Sequence, residues 1–416
     1  MNEDKKLKYT VFSCYLGYVT QAIVINLAPL LFVIFQNSFS VSFEQLGRLV
    51  LINFVIQIIV DISSVKISDL LGYRITIILA HFTCALGLIL LGVLPSAMEN
   101  AFAGIVISTV IYAVGGGLIE VLISPVVDAV NDTSKASAMV LVHSFYCWGS
   151  VITVVLTTFL IKVLGDFNWH YVPLIWSVLP LINLINFCIV PIKKPVSAEK
   201  RMSVKQLLNS KSFILFLVLM VCAGASELTV SQWASLFAQK GLHISKTVGD
   251  LLGPCMFAVF MGMGRIIYGF WGKKINLRKV IIFCSALCIA SYLMITLSPN
   301  AFISLIGCAV CGFSVSVMWP GVYSLSAVKF PLGSTTMFSM LALFGDLGCS
   351  TGPWLAGLIS DFSQKSQLII KLSNSFGYDL QQLSLKAGIL ICIVFPITML
   401  ICVSLLKGNI FKGEKL

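Results

Sequence analysis

The sequence predicts an all-α membrane protein of twelve transmembrane helices arranged as two six-helix halves. Three observations predict it. Of the 416 residues 58% are hydrophobic and only 11% charged, with a mean hydropathy of +0.98, whereas soluble domains carry about 25% charged residues. The apolar residues fall into long runs of a length that spans a bilayer, about 20 residues each. Polar, basic connections separate those runs, and the longest lies near the middle of the chain.

The runs lie near 9–35, 46–65, 75–95, 101–127, 136–163 and 170–191, and resume near 213–238, 250–272, 279–298, 301–328, 335–361 and 384–407. Each must be helical, because backbone groups in hydrocarbon have to be satisfied within the segment, and the runs are too long for barrel strands. The start, MNEDKKLKYT, leads into the first run without a small-residue cleavage site, so that run reads as a retained span. Basic residues set the orientation. With the N-terminus inside, 20 Lys and Arg fall on the cytoplasmic side and 7 outside, with Arg265 within a span. That asymmetry places both termini in the cytoplasm of a plasma (bacterial inner) membrane. The formal charge of +11 belongs to those loops, so nucleic acid is not an expected partner.

The stretch PIKKPVSAEKRMSVKQLLNSKS is the central connection. Domains are therefore expected at 1–191 and 213–416, with a cytoplasmic basic linker at 192–212. Residual similarity at offsets of about 200 supports two parallel repeats. Asn100-Ala101-Phe102 opens the fourth run and Asn300-Ala301-Phe302 the tenth. SDLLGYR (68–74) corresponds to GFWGKKINLRK (269–279), and HSFYCWGS (143–150) to ALFGDLGCS (342–350).

The thirteen cysteines sit in apolar stretches and are odd in number, which argues against a disulfide framework. Cys308 and Cys311 form a CxxC without a second pair nearby, and small packing residues explain them better than a metal or redox site. The four histidines, His81, His143, His170 and His243, are scattered, and the chain has neither a nucleophile motif nor a GxxxxGK[ST] phosphate loop. No metal, no cofactor and no enzymatic activity are expected, and the short loops leave no room for a receptor's output domain.

Ionisable groups at membrane depth cost ~2.5–3.5 kcal/mol each on insertion scales, so each requires a role. Glu120 lies about two turns inside the fourth helix and His143 at a similar depth in the antiparallel fifth, which makes them candidates for proton coupling. Glu227 sits near the middle of the seventh helix, close to Gln232 and Trp233. Ser316, Trp319 and Tyr323 share one face of the tenth, where an aromatic plate with hydroxyls suits a sugar ring. Asn53, Gln57 and Asp61, spaced i, i+4, i+8 on the second helix, form a stripe expected to face the eleventh, where Asp346 lies. Arg265 could neutralise Asp346. Those groups are expected to form an interdomain seam.

The loop VKISDLLGYR (65–74) resembles the signature loop between helices 2 and 3 of the major facilitator superfamily, with Asp69, Gly72 and Arg74 at matching positions and Val65 and Leu70 departing. Further matches are similar to its fucose permease (fucose–galactose–glucose proton symporter) group: GGGLIEVLISP (115–125), LVHSFYCWGS, GASELTVSQW (224–233), Gly264-Arg265, SVMWPG (316–321) and FGDLGCSTGP (344–353). The aspartate that the fucose permease carries in its first helix is replaced here by Tyr18, Gln21 and Asn26. The resemblance implies a monomeric alternating-access carrier with helices 1, 4, 7 and 10 around the substrate, so Gln21, Asn26, Glu227, Gln232, Trp233, Ser316, Trp319 and Tyr323 become substrate-facing candidates. It also implies that Asp69, with Gly72 and Arg74, forms a conformational latch with the N-terminus of the eleventh helix, capped by Ser334 or Thr335. The expected function is proton-coupled uptake of a sugar or similar small polar solute. A proton-antiport exporter of drugs or metabolites is the alternative within transport, and a membrane-embedded receptor or enzyme the alternative outside it.

Overall fold

The computed structural model describes residues 3–130, 135–192, 202–271, 276–330, 334–376 and 379–406. Among them every regular element is a helix. The chain divides into two compact units, one of residues 1–41 and 52–197 and the other of residues 42–51 and 198–416.

In the first unit the long helices are α1 (Glu3–Leu30), α2 (Phe43–Leu71), α3 (Tyr73–Ala97), α4 (Ala101–Val130), α5 (Lys135–Leu164) and α6 (Tyr171–Ile189). Here the first expected span is interrupted: α1 stops at Leu30 and a short helix, Phe32–Phe39, follows. In the second unit they are α7 (Lys211–Leu236), α8 (Met256–Trp271), α9 (Leu277–Leu297), α10 (Ala301–Val315), α11 (Ser334–Lys365) and α12 (Leu380–Ile391). α10 continues after a break as Met318–Lys329, and α12 as Val394–Leu405. Each break has the same cause. Pro320 and Pro396 lack the N–H that would bond the carbonyls of Ser316 and Cys392, four residues back. Short helices at Val204–Leu208 and Gln367–Phe376 lie outside the apolar runs.

Eleven segments among the described residues are long and apolar enough to cross a membrane. The remaining expected span is α11, ample in length at 32 residues but rich in Gly, Ser and Thr. The distribution of side chains is that of a protein solvated by lipid. Ile62, Phe159, Val163, Ile185 and Leu405 point outward, while Thr20, Gln21, Gln57, Ser108, Ser226 and Gln232 are buried. All thirteen cysteines are free, Cys308 and Cys311 among the buried ones.

The two units repeat one another in detail. Arg74, at the start of α3, donates to the carbonyls of Phe187, Cys188 and Val190, each at 2.9 Å, and so caps the C-terminus of α6. Arg278, at the start of α9, does the same for the end of the twelfth span, donating to Val403 (3.1 Å) and Ser404 (2.7 Å). A cation here satisfies orphan carbonyls and opposes the negative end of the helix. Asn100 and Asn300 accept from the backbone N–H of Ala103 (3.1 Å) and Phe302 (2.8 Å), capping α4 and α10. Gly149 on α5 meets α1, where a Cβ would lie 2.9 Å from Ala22 Cβ. Its counterpart Gly348 on α11 meets α7, where a Cβ would lie 2.0 Å from the Val221 carbonyl oxygen.

Candidate functional site

Three consecutive glycines build the site of the first unit. A Cβ on Gly115 would meet α3 at the Ala80 carbonyl oxygen (2.4 Å), one on Gly116 would meet α1 at Gln21 Oε1 (3.2 Å), and one on Gly117 would meet α2 at Gln57 Cα (3.1 Å). The bare turn of α4 therefore lies against three helices at once. Glu120, one turn further on, is delivered to the meeting point of α1 and α2. There Gln21 Nε2 donates to Glu120 Oε2 and to Gln57 Oε1, both at 3.1 Å. The two amides are almost fully buried, Gln21 2% and Gln57 0% exposed. Gln21 Oε1 and Gln57 Nε2 have no partner among the described residues.

Gln57 bonds Gln21 within the first unit; Asn53 is buried one turn earlier, and Asp61 follows one turn later, half-buried. Gln21 is a hydrogen-bond partner of the acid itself. His143 lies on α5 with its side chain outside the described residues, as do the side chains of Asp69, Ser334 and Thr335, so the latch falls outside them too. Of the latch loop, Gly72 adopts φ 79°, a backbone conformation that favours glycine, and Arg74 is occupied by the end of α6. Asn26 turns out to tie helices together: its amide donates to the Ala22 carbonyl (2.8 Å) and to Ser150 Oγ on α5 (3.1 Å).

The second unit gathers its own polar and aromatic groups. Gly264 on α8 lies against Ser316, since a Cβ there would fall 2.2 Å from the hydroxyl. Gly345 on α11 lies against the Trp319 indole, where a Cβ would be 2.1 Å from Cη2. Their chain neighbours Arg265 and Asp346 are thereby brought to the same region. Arg265 Nη2 lies 3.8 Å from Met261 Sδ, and Asp346 is buried. Trp319 and Tyr323 form the expected aromatic pair, with centroids 6.4 Å apart and rings inclined by 22°. Glu227 and Gln232 are buried in α7. Trp233, expected to face substrate, instead locks α7 to α11: its Nε1 donates to the Pro353 carbonyl at 3.0 Å, and the ring meets Phe43 edge-on.

Two buried networks have no signature in the sequence. His81 accepts at Nε2 from the Asn183 amide (2.8 Å), which also donates to the Ser13 carbonyl, while its Nδ1 reaches the Ile77 carbonyl. That is a neutral, structural histidine. Asp250, fully buried, pairs with Lys246 at 3.1 Å and accepts from Ser235 Oγ. The segments Phe237–Gly241 and Leu251–Cys255 beside it are π-helical, a geometry frequent at functional sites. No group of His, Cys, Asp and Glu among the described residues could hold a metal ion.

The model of the Major Facilitator Superfamily matches residues 14–353 and again 250–407. The chain belongs to that superfamily. It is accordingly a multi-pass membrane transporter and not an enzyme. A relative, the membrane protein MosC of Rhizobium meliloti, is 23% identical over 328 residues, 78% of this chain and 77% of that one. Among solved structures, a point mutant of the nucleoside transporter NupG aligns with a TM-score of 0.75 at 11% identity, covering 99% of this chain and 100% of that chain. A point mutant of the E. coli fucose:proton symporter FucP aligns at 0.61 and 17%, covering 95% and 98%. At such identities the likeness concerns the fold alone.

Proposed function

We propose that this transporter takes up a sugar or similarly small polar solute together with a proton, by alternating access. The observation that carries the reading is Glu120, half-buried and held by the neutral amide of Gln21, with no basic side chain among the described residues paired to it. A carboxylate half withdrawn from water beside a neutral partner bears part of the cost of desolvated charge, which a bound proton cancels. A proton taken up there and released on the other side would couple the cycle to a pH gradient. On the solute side, the Trp319–Tyr323 pair with Ser316 nearby offers the stacking plate and hydroxyls that suit a sugar ring. The name of FucP, a fucose:proton symporter, accords with this reading. The test is uptake from a panel of pentoses, hexoses and nucleosides into vesicles reconstituted with the protein, with and without an imposed pH gradient. Accumulation above equilibrium should require the gradient, with solute and protons entering together. Movement of solute against the direction of proton flow would favour an exporter.

The two six-helix halves, 1–191 and 213–416, would move around this chemistry, with the 192–212 linker and both termini in the cytoplasm of a bacterial inner membrane. Cysteines introduced into the linker should resist a membrane-impermeant maleimide added to intact cells and react after permeabilisation. Cys188 is exposed and must first be replaced by serine. Labelling of the linker in intact cells would overturn this topology.

A further inference from the structure

We propose that Gln21 and Gln57 form a two-amide relay that carries the protonation state of Glu120 from α4 through α1 to α2; it rests on the reading of Glu120 as the coupling acid. The geometry leaves each amide one choice. An ionised carboxylate only accepts hydrogen bonds, so Gln21 must present its NH2 group to Glu120 Oε2. The second hydrogen of the same nitrogen then requires Gln57 to present Oε1, as found. When a proton from the medium binds Oε2, that oxygen becomes a donor and opposes the Gln21 N–H. Turning Gln21 by half a rotation sets its Oε1 inward, where it accepts from the acid's O–H. Gln57 must turn as well, because its Oε1 would otherwise meet the oxygen of Gln21; its Nε2 then donates to Gln21 Oε1.

Both arrangements make the same two contacts and leave one buried donor and one buried acceptor without a partner. In the present one these are Gln57 Nε2 and Gln21 Oε1. In the other they are exchanged, Gln57 offering an acceptor and Gln21 a donor. The choice between them is thus set by whether Glu120 Oε2 carries the proton, and the burial of both amides keeps water from blurring it. Gly116 leaves the amides space to turn, since a Cβ there would stand 3.2 Å from Gln21 Oε1 and 3.6 Å from Gln57 Cδ. The relay ends on the one long helix whose residues are shared between the units: 43–51 belong to the second and 52–71 to the first.

Other titratable groups lie on the helices packed around the acid. Among them are Tyr18 and Cys14 on α1, Asp61 on α2, His81 and Cys84 on α3, and Tyr146, Cys147 and His143 on α5. His81 is already held by Asn183 and Ile77.

The experiment needs no solute. Full-length protein in lipid nanodiscs is titrated from about pH 5 to about pH 9, following the infrared carboxyl band that Glu120→Gln removes. Backbone hydrogen exchange of residues 52–64, corrected for its intrinsic pH dependence, is measured in parallel. In the wild type the exchange of α2 should change about fivefold across the range, in step with the band. In Gln57→Met the band should still titrate while α2 responds less than about twofold. Gln21→Met, which interrupts the relay at its centre, should behave alike and serves if the first variant does not fold. A wild-type response of α2 retained in Gln57→Met, or a titrating band with an indifferent α2 in the wild type, overturns the relay and leaves the coupling acid standing. If no band belonging to Glu120 titrates, the coupling reading itself fails and the relay with it.

Discussion

Glu120→Gln is expected to exchange solute across the membrane at close to the wild-type rate and to lose accumulation driven by a pH gradient. Glutamine preserves the shape and keeps a hydrogen-bonding group in contact with Gln21, so the cluster that joins α1, α2 and α4 should survive. It cannot take up or release a proton, and the pH gradient then has nothing to act on. Counterflow and gradient-driven uptake in the same vesicles separate the two properties. Glu227→Gln provides the contrast: buried in α7, it should weaken solute binding by roughly 1–3 kcal/mol, the usual cost of altering a buried hydrogen-bonding partner. Should Glu120→Gln still concentrate solute in response to the gradient, proton coupling resides elsewhere and the assignment is wrong.

The largest effect on stability is expected from Gly348→Ala, at about 3 kcal/mol or more, the upper range for overpacking. Its Cβ would stand 2.0 Å from the Val221 carbonyl oxygen and 2.9 Å from the Ala225 nitrogen. Both are backbone atoms of a helix and cannot rotate aside. α7 and α11 would have to separate, and the Trp233–Pro353 bond between them would stretch. Gly253→Ala is the control, because its nearest neighbours, on Ala234, lie at 3.3 and 3.4 Å. Thermal unfolding of the purified proteins should rank Gly348→Ala far below both the control and the wild type. Equal stability of the two variants would show that the approach of α7 to α11 is looser than described.

The helices are legible because lipid imposes a length and a composition on each, and their repeats because Arg74 and Arg278, or Asn100 and Asn300, cap equivalent helix ends. Glu120 stands out for a similar reason, as a charge in an apolar run. What a sequence does not convey is which neighbour a polar face meets. The spacing of Asn53, Gln57 and Asp61 defines a stripe on α2, yet its partner depends on how closely the Gly115–Gly117 turn lets α4 approach. Trp233 and Asn26 invite a substrate-facing reading because amide and indole groups serve ligands and helix contacts with the same chemistry. Ser235 and Asp250 meet across one π-helical turn and beside a second, and His81 and Asn183 are 102 positions apart. No local pattern announces such pairs.

The start of α2 gives the chain an unusual covalent arrangement. The Asp361 carboxylate accepts from the backbone N–H groups of Phe43 (3.1 Å) and Glu44 (2.8 Å), and Trp354 donates to Glu44, which also pairs with Arg48. Gly47 and Gly357 leave room for this turn against α11. The second unit therefore contains ten residues, Ser42–Leu51, that the ribosome makes long before the rest of it. A gene cut in the central linker would yield a C-terminal fragment missing part of its own interior, with Asp361 deprived of the helix end that it caps. Such a fragment, expressed alone, would be an incomplete fold, and co-expression with the N-terminal fragment would supply the missing turn.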